Sequence, residues 1–138
     1  MRAATKITFY DDQDNKFFGE GPCRLLHGVE ETGSLRAAAQ AMGMAYTKAL
    51  KLLRTAEQAL GFPLTRRSTG GRDGGGSCLT PQGKEWLARY EQYRDACIQA
   101  NRALYLEFFP GQRQTPSDSD RGPAQRQDDA ANPASAAD

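Results

Sequence analysis

Histidine, cysteine and long apolar runs are scarce in this sequence of 138 residues. There is one histidine, His27, and there are three cysteines at wide spacing, Cys23, Cys78 and Cys97. An odd number of distant cysteines does not favour a disulfide framework, and a structural zinc site usually needs four closely paired ligands. We therefore expect the cysteines to be small apolar fillers, and we expect neither a metal site nor a cofactor.

Apolar residues never form a run of about 18, the length that a membrane-spanning helix needs. The N-terminal residues also lack the apolar core of a secretion signal, so we expect a cytoplasmic protein with no membrane partner. With a single histidine, the sequence offers no nucleophile and base at a recognisable spacing. These absences disfavour an enzyme.

Charge is distributed unevenly along the chain, although the net charge is only +1. Residues 1–35 and 90–138 have net charges of −2 and −3, whereas residues 36–89 contain nine basic and three acidic side chains, a net charge of +6. A nucleic-acid-binding unit requires such a cationic surface, because it must face a row of phosphates. We therefore expect double-stranded DNA as the partner.

Residues 1–21 predict a β-hairpin, or one strand followed by a loop. Residues 6–10 read KITFY and residues 16–19 read KFFG, and the polar sequence DDQDN lies between them. A first helix is expected from Pro22 to about Thr32, because apolar residues recur there at helical spacing and a glycine follows.

Two helices separated by a glycine predict a helix-turn-helix. The second helix is expected over residues 35–42, with Ser34 as its cap, and the third over residues 45–60. Ala39 is the small residue that the helix crossing needs, and Gly43 is the turn. The residues expected to face inward are Ala38, Met42, Met44, Ala49 and Leu52. An ordinary hairpin of alanine-rich helices is the competing interpretation.

A glycine-rich loop between two short strands predicts a wing. Residues 63–67 and 78–79 read as the strands, and five of the residues 68–77 are glycine. Glycines let the backbone approach phosphates, and three arginines on this segment supply positive charge. The loop lacks the lysine of a nucleotide-binding phosphate loop. Residues 22–80 therefore predict one winged helix-turn-helix domain.

The outward face of the third helix is cationic in its first half, with no acidic residue before Glu57. The N-terminal half of a recognition helix reads base edges in the major groove, while flanking cations hold phosphates. Lys48 and Lys51 suit phosphates or guanine, and Thr47 can touch a thymine methyl. The predicted DNA-binding residues are Ser34, Arg36, Ala45, Tyr46, Thr47, Lys48, Lys51, Arg54, Arg66, Arg67, Ser68, Thr69 and Arg72.

A long fourth helix is expected over residues 81–109, after the hydroxyl cap and proline of Thr80-Pro81. Its apolar residues recur at alternating spacings of four and three, so the helix packs either on its own domain or on a second copy. We favour a homodimer, because such a helix is longer than a small domain covers. The predicted dimer-interface residues are Leu25, Trp86, Tyr90, Tyr93, Cys97 and Leu104. Residues 110–138 lack large apolar side chains and predict a disordered tail.

These elements predict a mainly α fold with a small β wing, a winged helix-turn-helix with a long C-terminal dimerisation helix. Two segments carry a family resemblance, GSLRAAAQAMGMAYTKALKLL and PLTRRSTGGRDGGGSCLTPQGKEWLARYEQY. They resemble the N-terminal DNA-binding domain of the molybdate-responsive ModE regulators, which is related to the winged module of LysR-type regulators. The resemblance covers about residues 19–93.

The resemblance implies a dimeric winged-helix repressor or activator. It implies base or phosphate roles for four recognition-helix residues, Tyr46, Thr47, Lys48 and Lys51. It implies DNA contacts for five wing residues, Arg66, Arg67, Ser68, Thr69 and Arg72. The family often has serine at the position of Ala45, where a hydroxyl could cap the helix. The resemblance does not extend to molybdate-binding domains, so the effector stays unidentified and we do not expect molybdate binding by this chain alone.

We expect a sequence-specific DNA-binding transcription regulator that acts as a homodimer on a palindromic operator, with a link to molybdenum metabolism. The alternative is a protein-interaction module that keeps the winged-helix fold without specific DNA binding. A sensor that binds a small oxyanion at the glycine-rich loop is a third interpretation. The sequence leaves the operator, the regulated genes and the sign of regulation open.

Overall fold

The computed structural model describes residues 1–69 and 76–112 of the chain. The backbone contacts divide the chain into two compact units, of which one is Lys6–Glu91 and the other consists of Met1–Thr5 and the described residues from Gln92 onward. The elements in chain order are β1 (Phe9–Tyr10), β2 (Lys16–Phe18), α1 (Glu20–Thr32), α2 (Leu35–Ala41), α3 (Tyr46–Leu60), β3 (Thr65–Ser68), β4 (Gly76–Leu79) and α4 (Pro81–Phe108).

β1 and β2 form an antiparallel hairpin in which Phe9 lies opposite Phe18. The carboxylate of Asp11 holds the turn, because its Oδ1 accepts hydrogen bonds from the backbone amides of Gln13 and Asn15, both at 2.9 Å. The hairpin interpretation of this segment is confirmed, with strands shorter than the sequence predicts.

α1 begins two residues earlier than predicted, at Glu20 instead of Pro22. Proline fits in this first turn because the first amides of a helix have no acceptor within the helix, so its missing N–H costs nothing. The helix ends at Thr32 as predicted. Gly33 caps it with a φ of 71°, a left-handed conformation that glycine adopts without strain.

The helix-turn-helix prediction is confirmed by the way α1, α2 and α3 meet. α1 approaches α2 so closely that a Cβ atom at Gly28 would lie 2.7 Å from the Cβ of Ala38. Ser34 caps α2 by accepting a hydrogen bond from the amide of Ala37 at 3.1 Å. The turn to α3 passes through Gly43, with a φ of 64°.

The inward-facing residues follow the prediction with one correction. Three are buried in the core and two pack against it: Ala38, Ala39, Ala49, Met42 and Met44. Leu52 is only half-buried, whereas its neighbour Leu53 is 2% exposed. The buried residues of α3 recur at spacings of four and three from Ala49, which places Leu53 and Ala56 on the core side.

β3 and β4 form the predicted antiparallel ribbon of the wing, with Arg66 opposite Cys78 and Arg67 opposite Ser77. β3 begins at Thr65, two residues later than predicted. Two predicted features lie outside the described residues: the loop of residues 70–75, which contains Arg72, and the tail from residue 113 onward.

Thr80 connects the wing to α4. Its hydroxyl donates a hydrogen bond to the carbonyl oxygen of Pro63 at 2.6 Å and accepts one from the amide of Gly83 at 2.9 Å. The hydroxyl therefore caps α4, as the Thr-Pro pair predicts.

An aromatic cluster joins the hairpin to the first half of α4. The ring centroid of Phe18 lies 5.4 Å from that of Trp86 and 4.9 Å from that of Tyr90, in edge-to-face arrangements. Leu25 and Tyr90 are 0% and 1% exposed in a single chain. Their assignment to a dimer interface is therefore corrected, because these side chains are buried inside one protomer and offer a second copy no surface. Trp86 packs mainly on Phe9 and Phe18 of the same unit.

The second unit contains the C-terminal part of α4. Ile98 and Tyr105 are buried, and the hydroxyl of Tyr105 donates a hydrogen bond to the carbonyl oxygen of Met1 at 3.2 Å. Large apolar side chains of this unit are also exposed: Tyr93, Leu104, Leu106, Phe108 and Phe109. Among the described residues, no helix has the length and apolar character needed to cross a membrane.

Candidate nucleic-acid interface

α3 presents a cationic face opposite the face that it buries. Thr47, Lys48, Lys51 and Arg54 are all exposed, and no acidic residue lies in the first turn of the helix. The buried side of the same helix consists of small or aliphatic residues, so the helix is held in place without using its charged side chains. The structure therefore brings four of the predicted DNA-binding residues onto one element and leaves them accessible.

A shallow groove runs along this face of α3 and extends beyond the predicted residues. Its lining consists of Thr47, Leu50, Lys51, Arg54, Thr55 and Gln58. The sequence prediction omitted Leu50, Thr55 and Gln58. Helical spacing could have identified two of them, because Thr55 and Gln58 follow Lys51 at intervals of four and three on the same side of the helix.

Tyr46 differs from its neighbours because it is half-buried and packs against the core. The guanidinium carbon of Arg36 lies 4.3 Å above the centre of its ring, which is a cation–π contact. This contact ties the start of α2 to the start of α3 and holds an exposed cation beside the cationic face. The DNA-binding roles of Tyr46 and Arg36 stay predictions, to which the structure adds this contact between the two side chains.

The two predicted residues at helix caps have different environments. The Oγ of Ser34 is occupied as an acceptor by the cap of α2. Ala45 caps α3 with an exposed methyl group, which provides no side-chain acceptor. The first amides of α3 therefore receive no side-chain cap from Ala45, and an uncapped helix N-terminus favours a phosphate nearby.

The wing places Arg66 and Arg67 on consecutive positions of β3, and both are exposed. Successive strand residues point to opposite faces, so the two guanidinium groups cover both sides of the ribbon. The Nε of Arg66 donates to the Sγ of Cys78 at 3.4 Å, which orients that side chain across the ribbon. Of the other predicted wing residues, Ser68 is half-buried and Thr69 is exposed.

The wing is attached directly to the helix-turn-helix. The amide of Ser77 donates a hydrogen bond to the carbonyl oxygen of Gly33 at 2.8 Å. At Gly76, a Cβ atom would lie 3.1 Å from the same oxygen, so the ribbon approaches the α1–α2 turn closely. The cationic wing and the capped start of α2 are therefore parts of one fixed arrangement, a link that no local sequence pattern indicates.

Comparison with known proteins identifies this arrangement. Residues 23–84 match the bacterial regulatory helix-turn-helix proteins of the lysR family. These 62 of the 138 residues resemble a lysR-type regulatory helix-turn-helix domain. They contain α2, α3 and the wing, and thus every predicted DNA-binding residue.

The alignments with individual relatives are longer than the match of residues 23–84. The molybdenum-pterin-binding protein MopB of Rhodobacter capsulatus is 36% identical over 85 residues, which are 62% of this chain and 30% of MopB. The molybdenum transport protein ModE of Herbaspirillum seropedicae is 37% identical over 79 residues, 57% of this chain and 28% of that protein. The transcriptional regulator ModE of Haemophilus influenzae is 34% identical over 87 residues, 63% of this chain and 34% of that protein.

The chain thus spans about a third of the length of the curated relatives that it matches. The resemblance to the N-terminal domain of ModE regulators, predicted from the two motif segments, is confirmed by these matches.

Proposed function

We propose that this chain is a sequence-specific DNA-binding transcription regulator that acts as a homodimer on a palindromic operator. The observation that carries the proposal is the exposed cationic face of α3 beside an arginine-bearing wing, within a lysR-type regulatory domain. A helix fits the major groove of B-form DNA, and a recognition helix reads base edges with the side chains of its N-terminal half.

In the proposed complex, α3 lies in the major groove. Thr47 contacts base edges or a thymine methyl, and Lys48 and Lys51 contact phosphates or guanine. Arg66 and Arg67 of the wing hold phosphates or enter the adjacent minor groove. The open N-terminus of α3 adds backbone amides that favour a phosphate.

The homodimer is supported by the exposed apolar side chains of the second unit. Tyr93 and Leu104 are 53% and 51% exposed, and both belong to the predicted dimer seam of α4. Burying such side chains against a second copy is favourable, because apolar area leaves water. A two-fold dimer would insert its recognition helices into successive major grooves about 34 Å apart.

A link to molybdenum completes the proposal. The names of the similar proteins refer to molybdenum-pterin binding, molybdenum transport or transcriptional regulation. Residues 23–84, which match the lysR-type regulatory proteins, contain the proposed DNA-contacting elements. We therefore extend the regulation of molybdenum-related genes to this chain, and we propose no oxyanion site.

The test is whether the purified chain binds operators that are selected from a random pool of DNA. Affinity is measured by fluorescence anisotropy at salt concentrations from about 50 to 200 mM, because the fall in affinity over this range reports the number of phosphate contacts. We expect Lys48→Ala and Lys51→Ala each to lower affinity about 5- to 30-fold. Each should also reduce the slope of log affinity against log salt by about 1 per protomer.

Arg89→Ala is the matched control, because it removes an exposed cation on α4 that pairs with Glu85 at 2.8 Å. Its affinity and salt slope should equal those of the unchanged protein. Specific binding that survives both lysine substitutions unchanged would contradict the proposed interface and favour the protein-interaction module, for which the exposed apolar residues of the second unit are the supporting observation.

A further inference from the structure

Three different metal-binding side chains converge between α1 and the first half of α4. Cys23 and His27 lie one helical turn apart on α1, and Glu91 lies on α4. Their candidate ligand atoms, a sulfur, an imidazole nitrogen and a carboxylate oxygen, are all within 4.8 Å of one another. The Nε2 of His27 is 3.0 Å from the Oε1 of Glu91.

The distances between the three atoms can be compared with those in a zinc site. Zinc bonds of about 2.0–2.3 Å place neighbouring ligand atoms roughly 3.3–3.8 Å apart. The His27 and Glu91 atoms, 3.0 Å apart, would separate slightly, and any pair near the 4.8 Å limit would approach by about 1 Å. Residues at positions i and i+4 of a helix project to the same side, which is the spacing of Cys23 and His27. The cluster combines sulfur, nitrogen and oxygen donors from three different side chains.

The three side chains differ in burial, and the difference suits a metal ion with one coordination position open to solvent. Cys23 is 2% exposed, whereas the side chains of His27 and Glu91 are 43% and 29% exposed. The sulfur would therefore lie on the protein side of the cation, and solvent would reach it from the side of the imidazole and the carboxylate. Three protein ligands with a water at the fourth position form a common zinc arrangement.

A second carboxylate lies behind the imidazole. The Oε1 of Glu30 is 3.8 Å from the Nδ1 of His27, on the opposite side of the ring from Glu91. A histidine that binds a metal through one nitrogen usually directs its other N–H at a carboxylate, which fixes the ring orientation. At 3.8 Å the Glu30 oxygen is beyond hydrogen-bond distance, and it would take that role after its side chain approached by about 1 Å.

We infer that Cys23, His27 and Glu91 form a binding site for Zn²⁺ or a similar borderline divalent transition-metal cation. This combination of thiolate, imidazole and carboxylate ligands suits such ions better than Mg²⁺ or Ca²⁺, which prefer oxygen alone. On binding, the Cys23 thiol releases its proton to solvent and the thiolate coordinates the cation. The bound ion links α1 to α4 and stabilises the lysR-type domain.

The experiment is a Co²⁺ titration of the reduced, untagged full chain, followed by displacement with Zn²⁺. We expect one ion per chain, a thiolate-to-cobalt charge-transfer band, and a melting temperature that rises with metal concentration. His27 is the only histidine in the chain, so nitrogen NMR of its ring reports directly whether Nε2 binds the metal.

Single substitutions assign the ligands. Cys23→Ser, His27→Gln and Glu91→Gln should each weaken binding by more than about 100-fold, and Glu30→Gln by about 10-fold. His27→Gln and Glu91→Gln change half-buried side chains, so they keep the test decisive if Cys23→Ser fails to fold. Glu31→Gln is the control for charge on α1, because Glu31 is exposed and next to Glu30.

The combined variant Cys78→Ser and Cys97→Ser controls for the other thiols and should bind cobalt as the unchanged chain does. The inference is overturned if no charge-transfer band forms, if binding survives Cys23→Ser or His27→Gln, or if the band disappears in the combined variant. Those results would leave the cluster as a close contact between the side chains of His27 and Glu91 beside a buried thiol.

Discussion

Gly83 has no side chain beyond a hydrogen atom, and this allows α4 to lie close to the segment before the wing. A Cβ atom there would lie 2.3 Å from the carbonyl oxygen of Leu64 and 3.0 Å from its carbonyl carbon. These are backbone atoms, so relief requires the helix or the segment to move. We expect Gly83→Ala to lower the free energy of unfolding by about 1–3 kcal/mol, measured by urea denaturation.

Gly21→Ala is the matched comparison, because it makes the same change in α1 at a position where the described residues, apart from the local helix backbone, place no atom within 4 Å of the added Cβ. We expect it to be neutral or to raise the free energy of unfolding by up to about 1 kcal/mol, since alanine loses less backbone entropy in a helix. Equal stability of the two variants would show that the contact at Gly83 is easily relieved.

Asp11 makes the stability of the hairpin depend on pH. The hydrogen bond from the Asn15 amide, with a further one from Gln13, holds the pKa of Asp11 below its ordinary value of 3.8. A depressed pKa in the folded state means that the carboxylate stabilises the fold above the unfolded-state pKa and loses this contribution as pH falls through the folded pKa. Carbon NMR of the Asp11 carboxyl group, followed as a function of pH, should show a titration midpoint below 3.8.

Asp11→Asn should remove part of the difference in unfolding free energy between neutral and acidic solution. Asp12→Asn is its control, because it changes the neighbouring exposed carboxylate and leaves both turn hydrogen bonds in place. If both variants retain the full pH dependence, Asp11 does not contribute to it.

Single residues also mark the limit of prediction from the sequence. The i, i+4 spacing of Cys23 and His27 is visible in the chain, but Glu91 lies 64 residues after His27 and joins them only through tertiary packing. The contact between Arg36 and Tyr46 is similar, because helix periodicity places Tyr46 outward while the ring packs on the core and under a guanidinium.

At the scale of elements, α3 lacks a side-chain cap. Ala45 has the extended backbone of an N-cap residue, with φ of −64° and ψ of 143°, and its methyl group accepts no hydrogen bond. Ala45→Ser should add an acceptor for the first amides and raise the free energy of unfolding by about 1 kcal/mol, measured by thermal and urea denaturation. Ala41→Ser, at an exposed position within α2, should not stabilise.

Ala45→Asp separates stability from DNA binding. It should stabilise α3 at least as much as serine, because a carboxylate also interacts favourably with the helix dipole. It should nevertheless lower DNA affinity, since a negative charge would then occupy the N-terminus proposed to face phosphate. Unchanged affinity would place the N-terminus of α3 away from DNA.

Helix boundaries follow closely from the sequence because glycine, proline and capping residues act locally. All four predicted helices exist, and their ends differ by no more than two residues from the prediction. The sequence does not indicate in the same way which segment packs against a given helix face. The spacing of Trp86 and Tyr90 predicts a seam, but periodicity does not say what covers it, and the covering side chains include Phe9 and Phe18 from a hairpin near the N-terminus.

At the scale of the whole molecule, charge and apolar surface occupy different parts of the chain. The net charge of +6 belongs to residues 36–89, whereas the exposed apolar residues of α4 follow residue 92. This separation allows the cationic side chains and the exposed apolar side chains to be substituted separately. It also explains why the balanced net charge of the full sequence conceals a strongly cationic segment, as the proposed DNA binding requires.

The dimer proposal is tested on the C-terminal part of α4. Leu104 and Phe108 are four residues apart, on one side of the helix, and are 51% and 70% exposed. Leu104→Glu with Phe108→Glu should give a monomer in sedimentation and lower operator affinity by about 100-fold or more, because each half-site then binds alone. Leu106→Glu makes the same change two residues away, off that side, and should leave the dimer intact. A double variant that stays dimeric and binds DNA unchanged would move the interface elsewhere.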